Sequence, residues 1–131
     1  MKFLKIKETC LYVNNLERAS RFYEQTLELQ LIGYVPGKHA FFKVGSSVLL
    51  LFNPDDSRTK ASPPAHFGGG KQHVAFEVPD QDYENAKVWI TSKGITITEK
   101  VVWSSGKESF YFEDSEGNVL EVVPDSGIWP Y

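Results

Sequence analysis

The sequence predicts an α+β fold made of two similar units, each with one strand, one helix and three further strands. Internal repetition carries this prediction: segments 8–13 and 73–78 have apolar residues at the same alternate places, apart from Thr9. Segments 41–54 and 111–124 share an aromatic pair, a turn, an apolar strand and a closing proline. The offsets are 65 and 70 residues, so the units differ by a small insertion. A duplicated unit favours pseudo-twofold packing, with a site where the halves meet.

In the first unit, alternating apolar residues over 6–13 predict a strand, and Asn14 or Asn15 can cap the helix that follows. Helical spacing then gives one apolar stripe of Leu16, Ala19, Phe22, Tyr23 and Leu27. Three strands are expected near 29–35, 39–44 and 48–53, separated by turns at Pro36-Gly37 and Gly45-Ser46.

The second unit repeats this order. A strand over 73–78 leads into a helix that starts at Pro79-Asp80 and carries Tyr83, Ala86, Trp89 and Ile90. Gly94 should end that helix, because a residue in the left-handed conformation commonly closes one. Strands over 95–101, 108–113 and 118–123 complete the unit, with a tight turn at 114–117.

The segment between the units, 54–71, contains three prolines and three successive glycines but few apolar residues, which is typical of a linker or a mobile flap. We therefore divide the single domain, 1–131, into a first module of about 1–54, a linker of 55–71 and a second module of 72–131. The last five residues form an apolar tail with no clear partner.

Composition and charge narrow the class of protein. The net charge of −3 gives no reason to expect nucleic acid or a membrane surface as partner. No apolar run approaches the roughly 18 residues that a membrane span needs. The N-terminus has no continuous hydrophobic stretch, so it does not look like a secretion signal. The single cysteine, Cys10, cannot form an internal disulfide, and a cytoplasmic location is expected.

Strand alternation assigns the side chains to two faces of each predicted sheet. One face is apolar and should pack under the helices. The other mixes polar and aromatic side chains, which is typical of a ligand cleft. The residues predicted on this second face are Glu8, Cys10, Tyr12, His39, Phe41, Lys43, His73, Ala75, Glu77, Ser109, Tyr111, Val119 and Glu121.

Three residues of this face could bind a metal ion. The repeat equates Glu8 with His73, and Leu51 with Glu121, so three of four related positions carry a carboxylate or an imidazole. Such ligands suit borderline or hard divalent ions, and three of them leave positions open for water or substrate. The alternative is structural, since a lone histidine is usually a hydrogen-bonded residue and a glutamate is usually solvated.

These residues lie in segments that resemble the vicinal oxygen chelate superfamily, which includes glyoxalases, extradiol dioxygenases, fosfomycin resistance proteins and bleomycin resistance proteins. LYVNNLERASRFYEQTL resembles its opening strand and helix, and HVAFEV and FYFEDSEGNVLE resemble its second-half signatures. The resemblance covers nearly the whole chain. It implies two βαβββ modules whose mixed sheets, eight strands with flanking helices, enclose a metal cleft. In many members two chains of a homodimer complete that cleft.

Carried over by residue, the metal positions of the family fall on Glu8, His73 and Glu121. The first is most often histidine, so Glu8 is a departure that leaves the divalent ion open among Zn, Ni, Mn and Fe. Glyoxalases usually have a fourth ligand where this chain has Leu51, which argues against that activity.

Other positions bear on the substrate. Ser105, Ser109 and Tyr111 match phosphonate-contacting positions of fosfomycin resistance proteins. Cys10, Val101 and Pro130 replace the threonine, lysine and arginine of that group, so a phosphonate would be poorly neutralised. Extradiol dioxygenases need additional histidines, and of His39 and His66 only His39 has the right parity. The predicted substrate-binding residues are Cys10, Tyr12, His39, Phe41, Trp103, Ser109 and Tyr111, with segment 54–71 moving over the substrate.

We therefore expect a metal-dependent enzyme, lyase-like or dioxygenase-like, whose small organic substrate chelates the ion through vicinal oxygens. One alternative is a metal-free protein that sequesters a hydrophobic compound, as bleomycin resistance proteins do, and another is a relative that keeps only the structure. A purely sequestering protein has no need of the three ligands. Each unit should leave an open sheet edge, and we expect a homodimer whose copies share the cleft.

Overall fold

The computed structural model describes residues 1–130, and it divides the chain into two compact units, Met1–Gly70 and Lys71–Tyr131. Each unit is a four-stranded mixed sheet with flanking helices, in the predicted order of strand, helix and three strands. The α+β class and the repeat are thereby confirmed. Of the predicted apolar tail, Tyr131 lies outside the described residues. None of the helices over 1–130 combines the length and the apolar character needed to span a membrane.

Unit 1 contains β1 (Glu8–Tyr12), α1 (Leu16–Arg21) followed by a π-helical turn (Phe22–Thr26), β2 (Gln30–Val35), β3 (His39–Val44) and β4 (Ser47–Phe52). The strands lie in the order β1-β4-β3-β2, with β1 parallel to β4. Asn15 caps α1, since its side chain accepts the backbone N–H of Arg18 at 3.1 Å. The predicted stripe is buried except at Phe22, which is only half-buried.

Unit 2 contains β5 (His73–Val78), a 3₁₀ turn (Asp80–Asp82), α3 (Tyr83–Ser92), β6 (Glu99–Val102), β7 (Glu108–Glu113) and β8 (Val119–Pro124), with the strands ordered β5-β8-β7-β6. Gly94, at a φ of 79°, follows the end of α3 as predicted. The strand predicted over 95–101 begins only at Glu99. The N–H of Ile95 still bonds to the carbonyl of Ile90, so the chain leaves the helix later than the apolar pattern indicated.

Segment 54–71 contains a helical turn as well as loop. It begins with a helical turn, α2 (Pro54–Ser57), capped by Asn53, whose side chain accepts the N–H of Asp55 at 3.0 Å. Asparagine followed by proline is a helix-start signal, although no helix was predicted at this position. Residues up to Gly70 belong to unit 1.

The register of the sheets corrects one predicted equivalence. Phe41 pairs with Leu50, nine residues on, whereas Tyr111 pairs with Glu121, ten residues on. The turn between β7 and β8 is therefore one residue longer than its counterpart in unit 1. The counterpart of Glu121 is Leu50, and the prediction of Leu51 was wrong. Leu51 lies on the opposite face, fully buried in the core.

Candidate functional site

A histidine and a glutamate from adjacent strands meet in unit 2. β5 and β8 run parallel, and Nε2 of His73 lies 3.2 Å from Oε1 of Glu121. Nδ1 of the same ring lies 2.8 Å from the carbonyl oxygen of Val119. A carbonyl only accepts, so Nδ1 must carry a proton and donate it. In the neutral ring, Nε2 therefore presents a lone pair to the carboxylate, whereas in the imidazolium it would carry a proton and form an ion pair.

The second oxygen of this carboxylate is also unsatisfied. The Glu121 side chain is 6% exposed. Its Oε2 is buried without a hydrogen-bond partner among residues 1–130. A buried carboxylate oxygen without a donor costs about 1–3 kcal/mol or more. A divalent cation would satisfy both the Nε2 lone pair and the carboxylate. The donor set of the pair thus fits a metal ion of the borderline class.

Three predicted substrate residues lie in the same unit. Burial raises the pKa of Tyr111, a hydrogen bond with Ser109 lowers it, and the charge of Glu121 together with a hydrogen bond to the Glu121 side chain raises it further. The phenol therefore stays protonated beside Glu121. The Ser109 side chain is fully buried, and its Oγ accepts the indole N–H of Trp103 at 2.9 Å. Trp103 also packs on Trp129, with 5.9 Å between ring centroids.

Unit 1 contains a cleft of about 790 Å³, within the usual range for small-molecule pockets. Glu8, Cys10, Tyr12, His39 and Phe41 line it, as their parity predicted. Strand β4 lies between β1 and β3, and its side chains on the same face also line the cleft. The segment after α2 covers the cleft. The additional lining residues are Ile32, Val48, Leu50, Phe52, Lys60, Pro63, Pro64 and His66.

One end of this cleft is aromatic. His39 stacks on Phe41 with 4.1 Å between ring centroids and 8° between planes. Phe52 meets both rings nearly edge-on, at 68° and 67°. Burial lowers the pKa of His39, and the charge of Lys60 lowers it further, so the imidazole is neutral at pH 7.

The segment after α2 closes over this aromatic end. Nδ1 of His66 lies 2.6 Å from the Tyr12 hydroxyl. Burial is the main cause that raises the pKa of Tyr12 to about 12, so the phenol keeps its proton and can donate it. Gly68 lies against the same ring, where a Cβ would stand 2.9 Å from Cδ2 of Tyr12. His66 was left out of the predicted substrate-binding residues because of its parity. Alternation assigns side chains to faces only within strands, and His66 lies in a loop, where the sequence gives no such signal.

The predicted metal ligands are thus found in both units. His73 and Glu121 are paired in unit 2, and Glu8 lines the cleft of unit 1. Over residues 1–130 the structure has no group of three His, Cys, Asp or Glu side chains arranged to hold a metal ion. The structure brings together two of the three.

Comparison with known proteins gives the family. A sequence model of the Glyoxalase/Bleomycin resistance protein/Dioxygenase superfamily matches residues 5–122. The chain belongs to this superfamily. The match spans most of both βαβββ modules described above.

Two relatives in this superfamily have enzyme names. The metallothiol transferase FosB of Staphylococcus epidermidis is 28% identical over 112 residues, 84% of this chain and 76% of that protein. A crystal structure of lactoylglutathione lyase from Agrobacterium tumefaciens superposes with a TM-score of 0.89 at 31% identity, covering 97% of each chain. An integron cassette protein from the Halifax Harbour sewage outfall, at 23% identity over 93% of this chain and 99% of its own, shares the fold with a TM-score of 0.75.

Proposed function

We propose that this superfamily member is a metal-dependent enzyme acting on a small oxygen-bearing substrate. One observation carries the proposal: the His73–Glu121 pair presents an imidazole nitrogen and a buried carboxylate oxygen without a geometric hydrogen-bond partner among residues 1–130, and a divalent cation would satisfy both. Two relatives support it, since both are named as enzymes and one as a metallothiol transferase.

His73, Glu121 and Glu8 would hold the ion, and the departure from histidine at position 8 still leaves a metal-binding oxygen. A bound divalent ion supplies Lewis-acid stabilisation of a developing enolate or alkoxide. The other roles belong to the side chains themselves. The Val119 carbonyl fixes the tautomer of His73. Tyr111 keeps its proton beside Glu121, and we propose that its hydroxyl donates to a substrate oxygen.

We further propose a homodimer in which Glu8 of one copy completes the His73–Glu121 pair of the other. Each sheet has β1 or β5 as an edge strand, and these two strands carry Glu8 and His73 at equivalent positions. An exposed edge favours pairing with another chain. Two such edges meeting would put the equivalent residues near each other.

A second candidate function has an observation of its own. The unit 1 cleft is mostly apolar and aromatic, which suits a protein that sequesters a hydrophobic compound without a metal. This function does not explain the unsatisfied Glu121 oxygen in unit 2, and we therefore rank the sequestering function second.

Metal content tests the proposal. Protein purified without added metal, measured by plasma mass spectrometry, should hold about one divalent ion per chain. His73→Ala and Glu121→Gln should lose it while circular dichroism shows an intact fold. His66→Ala and Glu24→Gln remove the same chemical groups elsewhere and should keep the ion. Equal metal content in His73→Ala and His66→Ala would reject the site, and a metal-free wild type that takes up no added Zn²⁺, Ni²⁺, Mn²⁺ or Fe²⁺ would favour the sequestering protein.

A further inference from the structure

The side chains on the floor of the unit 1 cleft change in chemical character along the strands. β1, β4 and β3 place their cleft-facing side chains in rows of three, because Cα partners lie side by side. The first row is Tyr12, Phe52 and His39, the second is Cys10, Leu50 and Phe41, and the third is Glu8, Val48 and Lys43. The cleft therefore runs from an aromatic end to an end that carries Glu8.

The two ends differ in cover as well as in chemistry. At the aromatic end, His66 packs edge-on against Phe52, with 4.6 Å between ring centroids and 84° between planes. Pro63 and Pro64 line the same cleft. Lys60 lines this cleft, and its ammonium group lies 3.6 Å from the carboxylate of Asp56. The aromatic end therefore suits an uncharged group.

The distance between the two ends sets the length of a ligand that fills the cleft. Glu8 and Tyr12 are four residues apart on one strand, and a parallel strand rises about 3.3 Å per residue, so the ends are about 13 Å apart. A compact, fully polar molecule would leave the aromatic end unfilled.

From this arrangement we propose that the ligand is elongated, with a planar unsaturated ring at the Tyr12–Phe52–His39 end and an oxygen-bearing head near Glu8. The placement of the oxygen-bearing head rests on the proposed function, because Glu8 is a metal ligand in that proposal. The placement of the ring does not depend on the proposed function. Ring edges and faces make favourable contacts with Phe52, Phe41 and His39, and a rigid ring loses no rotamer freedom on binding.

The ring can be tested alone on metal-depleted protein. The probe is 2-naphthol, titrated into ¹⁵N-labelled protein and followed by amide chemical shifts. We expect saturable shifts at Tyr12, Leu50, Phe52 and Gly68. Decahydro-2-naphthol has the same carbon skeleton and hydroxyl but is not planar. Because aromatic contacts exceed simple burial, 2-naphthol should bind about two to ten times more tightly.

Two variants connect any binding to the cleft. Leu50→Trp fills the middle row and should weaken 2-naphthol binding by more than about tenfold, whereas Val88→Trp adds the same indole at an exposed site on α3 and should leave binding unchanged. If Leu50→Trp does not fold, Phe41→Leu keeps the cleft open and should remove the preference for the planar probe.

The outcomes separate this inference from the proposed function. Saturable, planar-selective shifts with no metal bound support the ring site whatever the metal analysis gives. No saturable shift, equal affinity for the two probes, or unchanged binding in Leu50→Trp would overturn it. Loss of metal in His73→Ala bears only on the proposed function.

Discussion

Nε2 of His73 faces Oε1 of Glu121 at 3.2 Å, while Nδ1 of the same ring donates a hydrogen bond to the Val119 carbonyl. Glu121 Oε2 is buried and has no donor among residues 1–130. With the imidazole neutral and no cation bound, two acceptors face each other, and the Glu121 side chain is only 6% exposed, so the pair costs stability. A carboxylate with a purely structural role should accept hydrogen bonds from its neighbours, so substitutions at position 121 separate a structural role from a metal-binding role.

We predict that Glu121→Gln stabilises the metal-depleted protein by about 1 kcal/mol, because the new amide can donate to Nε2 of His73 and removes a buried charge. The same substitution should abolish metal binding. The measurement is urea unfolding of metal-depleted protein, repeated with the metal found in the wild type. Glu113→Gln, which removes a surface ion pair with Lys71, should change stability by less than about 0.5 kcal/mol. A clear loss of stability in metal-depleted Glu121→Gln would show a structural carboxylate.

Subunit complementation tests whether Glu8 is supplied by a second copy. Glu8→Ala and His73→Ala should each bind no metal alone. Mixed by unfolding and refolding together, they form some dimers in which one of the two shared sites has all three wild-type ligands. Since random pairing gives half mixed dimers with one intact site each, about a quarter of the wild-type metal content should return.

The control is a mixture of His73→Ala with Glu121→Gln. Both substitutions fall in unit 2, so neither copy can supply an intact pair and no metal should return. Light scattering at micromolar concentration checks the dimer itself. Equal metal recovery in the two mixtures, or a monomer, would contradict the shared site.

The sequence predicted the order of elements and the faces of the strands because both depend on local periodicity. Glu8, His39 and Tyr12 lie in the cleft for that reason. Leu51 was assigned to the wrong face because a one-residue difference in turn length reverses parity, and spacing in the sequence alone does not locate the extra residue. His66 was missed because the position of a loop depends on tertiary contacts, here with Tyr12.

His39 should make the stability of the protein depend on pH. Its pKa is lowered by burial, then by Lys60, with Asp56 opposing and Lys38 adding to the shift. The unfolded chain, with an imidazole pKa near its ordinary value of about 6.5, therefore takes up a proton more readily. The stability that this histidine contributes is present above about pH 6.5 and is lost as the pH falls through its folded pKa.

We predict that His39→Phe, which preserves the stacking on Phe41, loses less unfolding free energy between pH 7 and pH 5 than the wild type does. Urea unfolding at both pH values measures this difference, and the histidine NMR titration should show His39 with a pKa below its usual range. His66→Ala is the control and should retain the wild-type slope if His39 is the cause. An identical pH slope for wild type and His39→Phe would contradict the assignment.

The contact between Tyr12 and His66 should hold segment 58–70 over the aromatic end of the cleft. The phenol keeps its proton because its pKa is raised to about 12, so it donates to Nδ1 of His66 at 2.6 Å. Tyr12→Phe retains the ring that packs on Gly68 and removes the hydroxyl, and with it this bond and the weaker contact from the Cys10 thiol at 3.7 Å. A hydrogen bond of this kind contributes about 1 kcal/mol, so the His66 amide, which bonds to the Ser57 carbonyl, should exchange about fivefold faster with solvent. Hydrogen exchange read by NMR measures the change.

Tyr34→Phe, on the exposed edge strand β2, is the matched control and should leave the exchange rate of the His66 amide as in the wild type. If the His66 amide exchanges equally in all three proteins, other contacts hold the segment, and the cover does not open through this hydrogen bond.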